Sequence, residues 1–225
     1  MAEVAHFTGD VRVDGVVEAS GGISSVATGA ISNAQVNPSA GIARSKLALD
    51  ALKPFVVNMM DFRVWDAIQT NLPGTSSADD LGLIGGTYGT NAPSLQTSDL
   101  KAAGSTTRYA RAMVRLPAEY VAGETVNIRL HAGMITTVAD NTCTADVNAY
   151  ESDKDNSVSA DLCTTAAQDI NSLTFGSDDF TITPTTLGPG DFLDVRVAII
   201  CNDAATGTAV IGCISSVELL CDIKG

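Results

Sequence analysis

The amino-acid sequence of 225 residues predicts an all-β protein: an antiparallel, jelly-roll-like β-sandwich with an extended N-terminal arm and a short connecting helix. Long runs in which apolar and polar residues alternate indicate strands with one buried face, because side chains alternate across a strand. Turn residues separate these runs at fairly even intervals, which is typical of sandwiches and barrels. Hydrophobic residues make up 45% of the chain and charged residues 17%, so a sizeable core can be buried.

The C-terminal third carries the clearest pattern, in two runs at residues 190–201 and 208–224. The polar segment 202–207 between them has turn chemistry and contains Gly207, which can adopt a positive φ. We therefore expect a β-hairpin at the centre of the sandwich. One face of the first run holds Leu193, Val195, Val197, Ile199 and Cys201, and one face of the second holds Ile211, Cys213, Val217, Leu219, Cys221 and Ile223, interrupted by Ser215.

Residues 1–36 differ from the rest, because their strand-like pieces are short and broken by glycines. Such fragments cannot bury enough surface to be stable alone. We interpret this segment as an arm for oligomerisation or attachment, which intertwines with sister subunits or grips a neighbouring protein; a flexible tail is the alternative. Its expected partner-binding residues are Phe7, Val11, Val13, Val16, Ile23 and Ile31.

A helix-start signal follows the arm, with Asn37 as a possible N-cap and Pro38 at the first helical position. The pattern predicts a connector over residues 37–54 whose short helix runs to about Leu52, and a sandwich body over residues 55–225 with eight strands in two sheets. Further strand patterns occur at residues 109–116, 126–134 and 145–149, and shorter ones are marked by the pairs Leu173 with Phe175 and Phe180 with Ile182.

The net charge is −13, from 13 basic and 26 acidic residues. A field of this sign repels phosphate backbones, and the basic residues are scattered, so we expect no direct binding to nucleic acid. The N-terminus lacks the basic and apolar regions of a secretory signal, and no apolar run reaches the roughly 20 residues of a membrane helix. We therefore expect synthesis and folding in a cytoplasm, with no membrane partner.

The five cysteines are odd in number and form no C-x-x-C pair. In a chain without a secretory signal this argues against a disulfide framework. We expect all five to be reduced, with Cys201, Cys213 and Cys221 on core faces, where a thiol behaves as a small hydrophobe. A link between Cys143 and Cys163, or a metal site, is the alternative.

No reactive constellation is evident, so we expect no catalytic residues, no cofactor and no metal site. The two histidines, His6 and His131, have no metal-ligand spacing, and no nucleophile-elbow or phosphate-loop motif occurs. Acidic pairs at residues 79–80 and 178–179 and the acidic loop 151–155 leave a structural Ca²⁺ open. The aromatic residues Trp65, Tyr88, Tyr109 and Tyr120 are too few and too scattered to indicate a sugar-binding stack, and we expect them in the core or at subunit contacts.

Residues 7–15 and 31–47 are similar to the leading segments of tailed-bacteriophage fibre and head-decoration proteins, and residues 114–129 with 187–197 resemble their jelly-roll bodies. The resemblance implies a non-enzymatic structural protein of the virion: a capsid decoration (cement) protein that binds the head surface as a homotrimer. Its partners would be its own copies and the major capsid protein or another virion protein.

Three alternatives to a decoration protein stay open at this point. One is a short head or tail fibre, and another is a receptor-binding or carbohydrate-binding module. The third is a polysaccharide hydrolase. A binding module should show a cluster of aromatic residues on its surface, whereas a hydrolase needs a cleft with two carboxylates at working distance.

Overall fold

A computed structural model describes residues 52–152, 156–205 and 207–223. The arm at residues 1–36 and residues 37–51 of the connector lie outside the described residues. So do all six expected partner-binding residues: Phe7, Val11, Val13, Val16, Ile23 and Ile31. In the described part, Lys53 and Pro54 already belong to the first strand.

Twelve strands and one short 3-10 helix, Met59–Asp61, make up the described architecture. The strands are β1 Lys53–Val56, β2 Arg63–Val64, β3 Ala67–Asn71, β4 Gly82–Ile84, β5 Ser94–Gln96, β6 Gly104–Arg115, β7 Val126–Met134, β8 Thr142–Ser152, β9 Gln168–Asp169, β10 Gly176–Ile182, β11 Phe192–Asp203 and β12 Gly212–Cys221.

These strands form two antiparallel six-stranded sheets. The first sheet has the order β10-β7-β12-β5-β4, with β1 pairing along the second half of β12. The second sheet has the order β3-β2-β6-β11-β8-β9. Successive long strands alternate between the sheets, as in a jelly roll: β6, β8 and β11 lie in the second, and β7, β10 and β12 in the first.

The prediction of an all-β antiparallel sandwich is thus confirmed. The count of eight strands was too low, because β2, β4, β5 and β9 have only two or three residues and leave little periodicity to detect. The pair Leu173 and Phe175 does not form a strand, since β10 begins only at Gly176.

The core lies between the two sheets and follows the alternation of the sequence. Val195, Val197 and Ile199 on β11 are fully buried, as are Val217 on β12 and, at 1% exposure, Leu219. On β6 the residues Ala110, Ala112 and Val114 point inward, and Leu116 directly after the strand is buried as well, as their spacing predicts. The residues between them on β6 and β11 therefore point outward, away from the core.

The expected hairpin of β11 and β12 is wrong. β11 pairs with β6 on one side and β8 on the other, whereas β12 pairs with β7 on one side and with β5 and β1 on the other. Each strand is central in its own sheet, so neither has a free edge to offer the other. They instead face each other across the core, where a Cβ at Gly212 of β12 would lie 2.8 Å from Ile199 Cγ2 of β11.

A β-bulge in β12 also overturns the expected core position of Cys213. The register with β7 shifts between Ile214 and Ser216. Even-numbered residues therefore face the core before the bulge and odd-numbered residues face it afterwards. Val217 and Leu219 face the core after the bulge, but Gly212 and Ile214 face it before. Cys213 is buried on the outer side of the first sheet instead. In the sequence, Ser215 interrupts the apolar alternation at the position of this bulge.

The cysteine prediction is wrong at one pair, because Cys143 and Cys201 form a disulfide. They lie directly opposite each other on β8 and β11, facing the core, a proximity that only strand pairing creates. Cys163, Cys213 and Cys221 are free thiols, as expected. Gly212 packs over the disulfide: a Cβ there would lie 3.4 Å from Cys143 Sγ and 3.6 Å from Cys201 Sγ.

Candidate functional site

The outer face of the second sheet carries a regular array of polar and aromatic side chains. Its rows cross three paired strands, β6, β11 and β8, in that order. The array exists because the inward positions of these strands are apolar, which leaves the alternate residues outside. The rows are Tyr109–Ala198–Asp146, Arg111–Arg196–Asn148 and Met113–Asp194–Tyr150.

Trp65 lies above the β6 side of this array. It follows β2, which pairs with β6 through Arg63 and Arg111, so the turn into β3 places the indole over the sheet. The indole Nε1 donates a hydrogen bond of 2.9 Å to Asp79 Oδ2, and its ring centroid lies 5.1 Å from that of Tyr109. The expectation that Trp65 and Tyr109 are scattered is therefore wrong, because the β2–β6 pairing brings them together.

An ion pair between Arg111 and Asp194 forms the floor of the array. Arg111 Nε donates to Asp194 Oδ1 at 2.6 Å, and Arg111 Nη2 donates to Asp194 Oδ2. The remaining nitrogen, Nη1, donates to the Trp65 carbonyl at 3.4 Å. The hydrogen bonds that Arg111 donates to Asp194 raise the pKa of Arg111 above its ordinary value, so the guanidinium stays charged.

Arg196 joins the floor to the aromatic residues. Its guanidinium carbon lies 4.8 Å from the Tyr109 ring centroid and 5.4 Å from that of Trp65, which are cation–π distances. Nε and Nη2 donate to Asn148 Oδ1 at 3.2 and 2.6 Å. The Asn148 amide nitrogen in turn donates to Asp161 Oδ2. Arg196 is therefore held in one orientation from both of its sides.

Between these groups lies a groove of about 320 Å³, which we call the β11 groove. Trp65 stands on its β6 side and Tyr150 on its β8 side. Strands in a sheet are spaced about 4.8 Å apart, so β6 and β8, on either side of β11, are about 10 Å apart. The lining residues are Trp65, Asp66, Arg111, Tyr150, Val158, Asp194 and Arg196.

The side chains of the groove are suited to binding a ligand and poorly suited to acid–base catalysis. Of its two carboxylates, Asp194 has both oxygens engaged by Arg111, so it is not a free acid or base. The Tyr150 hydroxyl has no hydrogen-bond partner within the described residues, and Val158 is 58% exposed at the rim. The groove thus combines open apolar and aromatic walls with a fixed polar floor.

The other singled-out residues lie elsewhere. Tyr120 is fully buried, as expected, and its hydroxyl donates to the Glu124 carbonyl at 2.7 Å. Tyr88 is fully exposed in the β4–β5 loop. His131 lies on the outer face of the first sheet, as expected, with Nδ1 2.8 Å from Ser177 Oγ.

The described residues contain neither a metal-binding cluster nor a helix suited to a membrane. No group of three or more His, Cys, Asp or Glu side chains in this part of the chain is arranged to hold a metal ion. Among the same residues, no helix combines the length and apolar composition that crossing a membrane requires.

No family model matches the chain, and no curated protein matches it. Among solved structures, the xylan-binding module CBM15 is similar over 77% of this chain and 99% of its own, with 15% identity and a TM-score of 0.39. The CBM22-1 xylan-binding domain of Paenibacillus barcinonensis Xyn10C is similar over 79% and 97%, with 12% identity and a TM-score of 0.37.

A chain of the infectious bursal disease virus Gx strain structure is similar over 64% of this chain and 37% of its own, with 12% identity and a TM-score of 0.31. The fold and the groove by themselves define the class: a jelly-roll-like β-sandwich with a preformed aromatic and polar groove on one outer face.

Proposed function

We propose that this protein is a non-catalytic carbohydrate-binding module and that the β11 groove is its ligand site. One observation carries the proposal: two aromatic side chains, Trp65 and Tyr150, flank a floor whose charged groups are already fixed by hydrogen bonds. A pyranose ring presents C–H faces and a rim of hydroxyl groups. Aromatic walls suit the first, and a preorganised polar floor suits the second.

The charges of the groove favour a neutral sugar. Arg111 is neutralised by Asp194, and the other two charged residues of the lining, Asp66 and Arg196, have opposite signs, so the charges of the lining sum to zero. The whole chain carries a net charge of −13, which repels anionic polymers at low salt. We therefore assign neutral polysaccharides as the ligand class and expect acidic ones to bind more weakly.

A binding role fits this groove better than hydrolysis. Glycoside hydrolysis requires one carboxylic acid that can donate a proton and a second carboxylate at working distance. Asp194 is committed to Arg111 on both oxygens, and this leaves Asp66 as the one carboxylate of the lining outside that ion pair.

The proposal is tested by affinity electrophoresis and calorimetry with soluble xylan, mannan, starch, a cellulose ether and, as the acidic member, polygalacturonate. Trp65→Ala and Tyr150→Ala should each weaken binding of the preferred neutral polymer at least ~10-fold, equivalent to about 1.4 kcal/mol. Val56→Ala is the control, since it truncates an exposed apolar side chain on β1 of the first sheet that is not among the residues lining the groove. Unchanged binding by a folded Trp65→Ala protein would refute the assignment of the groove.

A role in a virion is a second proposal, supported by the sequence resemblance of residues 7–15 and 31–47. In it the chain is a homotrimeric decoration or short fibre protein whose arm attaches to the capsid or to another virion protein. The two proposals are compatible, because they concern different stretches of the chain. Particles lacking this chain should take up the full-length protein, whereas a protein without residues 1–36 should remain unbound at both low and high salt.

A further inference from the structure

The outer face of the first sheet contains a second concavity, which we call the β12 hollow. Its volume is about 750 Å³, more than twice that of the β11 groove. The floor is formed by β5 and β12, with Ser94, Gln96 and Ser215 among its residues. One wall contains Phe175 and Ile135, and the opposite wall is the β4–β5 loop.

The Phe175 ring is seated by a glycine in the sheet below it. A Cβ at Gly133 of β7 would lie 2.9 Å from Phe175 Cδ2, so any larger residue there would displace the ring. The segment before the ring is tied to the same strand, because Met134 N donates to the Ser172 carbonyl at 2.8 Å. The aromatic wall is therefore fixed before any ligand arrives.

The opposite wall is also preformed. Gly86 has a φ of +70°, and a Cβ there would lie 2.4 Å from the Asn91 carbonyl oxygen, so the loop closes on itself at a glycine. The amides of Thr90 and Asn91 both donate to the Thr87 carbonyl, at 2.8 and 2.9 Å. Loop closure and turn hydrogen bonds together fix the conformation of this wall.

The lining of the hollow is uncharged, which is notable in a chain with a net charge of −13. Among the residues that the structure describes, it contains no Asp, Glu, Lys, Arg or His. Its polar groups are amides and hydroxyls, with Gln96 Nε2 donating to Ser94 Oγ at 2.8 Å and leaving the Gln96 carbonyl oxygen as an acceptor. Burial raises the pKa of the Cys213 thiol on the floor, so this group stays neutral as well.

We propose that the β12 hollow is a second binding site for neutral oligosaccharides, an inference that rests on the proposed function of the β11 groove. A fixed aromatic ring, neutral hydrogen-bonding groups and the absence of charge in the lining match the same ligand chemistry. The two sites lie on the outer faces of opposite sheets and therefore open away from each other. A short oligosaccharide bound at one site cannot occupy the other, so one protein molecule joins two polysaccharide chains.

Calorimetry with a short oligosaccharide of the preferred polymer tests this inference, with the turbidity of mixtures with the long polymer as a second measurement. The unmodified protein should bind two oligosaccharides, and Phe175→Ala should bind one. Precipitation of the long polymer should be lost in Phe175→Ala and retained in the control Leu173→Ala, which truncates an exposed neighbour. Gln96→Ala, a change on the floor, should weaken the second site ~3-fold or more without touching the Phe175 wall.

The outcomes separate the two proposals. One bound oligosaccharide that Trp65→Ala abolishes and Phe175→Ala leaves intact would overturn the β12 site and keep the β11 groove. One bound oligosaccharide with the opposite response would overturn the β11 assignment and keep the β12 site. No binding of any sugar would overturn both.

Discussion

Arg111 on β6 and Asp194 on β11 form a diagonal ion pair between neighbouring strands. Arg111 lies directly opposite Arg196 in the register, an arrangement of like charges that destabilises a sheet. Asp194 draws Arg111 to one side, and Asn148 draws Arg196 to the other. Two arginines can therefore share the floor of the β11 groove because each has its own acceptor.

Asp194→Ala should lower the free energy of unfolding by about 2 kcal/mol, because it leaves Arg111 half-buried, unpaired and facing Arg196. The measurement is urea denaturation near neutral pH. Asp179→Ala is the matched control: its pair with Arg129 on the first sheet has a similar geometry but is exposed, so about 0–1 kcal/mol is expected. Equal losses in the two variants would mean that burial of the Arg111 pair adds nothing.

Gly212→Ala should destabilise the sandwich by about 1–3 kcal/mol, because the added methyl would lie 2.8 Å from Ile199 Cγ2 in a packed core. Gly176→Ala, also in a strand, is the control, since no atom lies within 4 Å of a Cβ at that position. Thermal and urea unfolding of both variants give the comparison. A neutral Gly212→Ala would contradict the close packing of β12 over the disulfide.

Thiol titration of the denatured protein should find three reactive cysteines without reductant and five after reduction, because Cys143 and Cys201 are joined. Replacing both with serine should leave three in either condition. Five reactive thiols before reduction, in protein purified under oxidising conditions, would show that the pair is not linked.

Tyr120 makes the free energy of unfolding depend on pH in the alkaline range. Burial raises the pKa of its phenol to about 12, whereas an unfolded tyrosine titrates near 10. The folded state therefore holds a proton that the unfolded state loses. This contribution is complete below about pH 10 and falls as the pH rises from about 10 to 12.

Tyr120→Phe should reduce that fall, leaving the part due to the buried Cys221 thiol, whose pKa is raised to about 11. It should also cost about 1 kcal/mol at neutral pH through the lost hydrogen bond to Glu124. Urea denaturation at several pH values, with phenolate absorbance to follow the titration, would measure both effects. The same decline above pH 10 in the variant would assign the effect to another group.

Apart from the bulged first half of β12, the alternation of apolar and polar residues predicts which side of each long strand faces the core. Val195, Val197 and Ile199 are buried as their spacing predicts, and Arg111 and Arg196 are outside for the same reason. This succeeds because alternation is a local property: each side chain points to the face opposite that of its neighbour, whichever strand pairs with it.

Only the tertiary structure decided which strands are partners, and the candidate site depends on that. Trp65 meets Tyr109 because β2 pairs with β6, and Cys143 meets Cys201 because β8 pairs with β11. β11 and β12 separate into different sheets, although they follow each other in the chain. Segments far apart in the chain pair along the free edges of strands, and the alternation of residues in the sequence does not show which segments will pair.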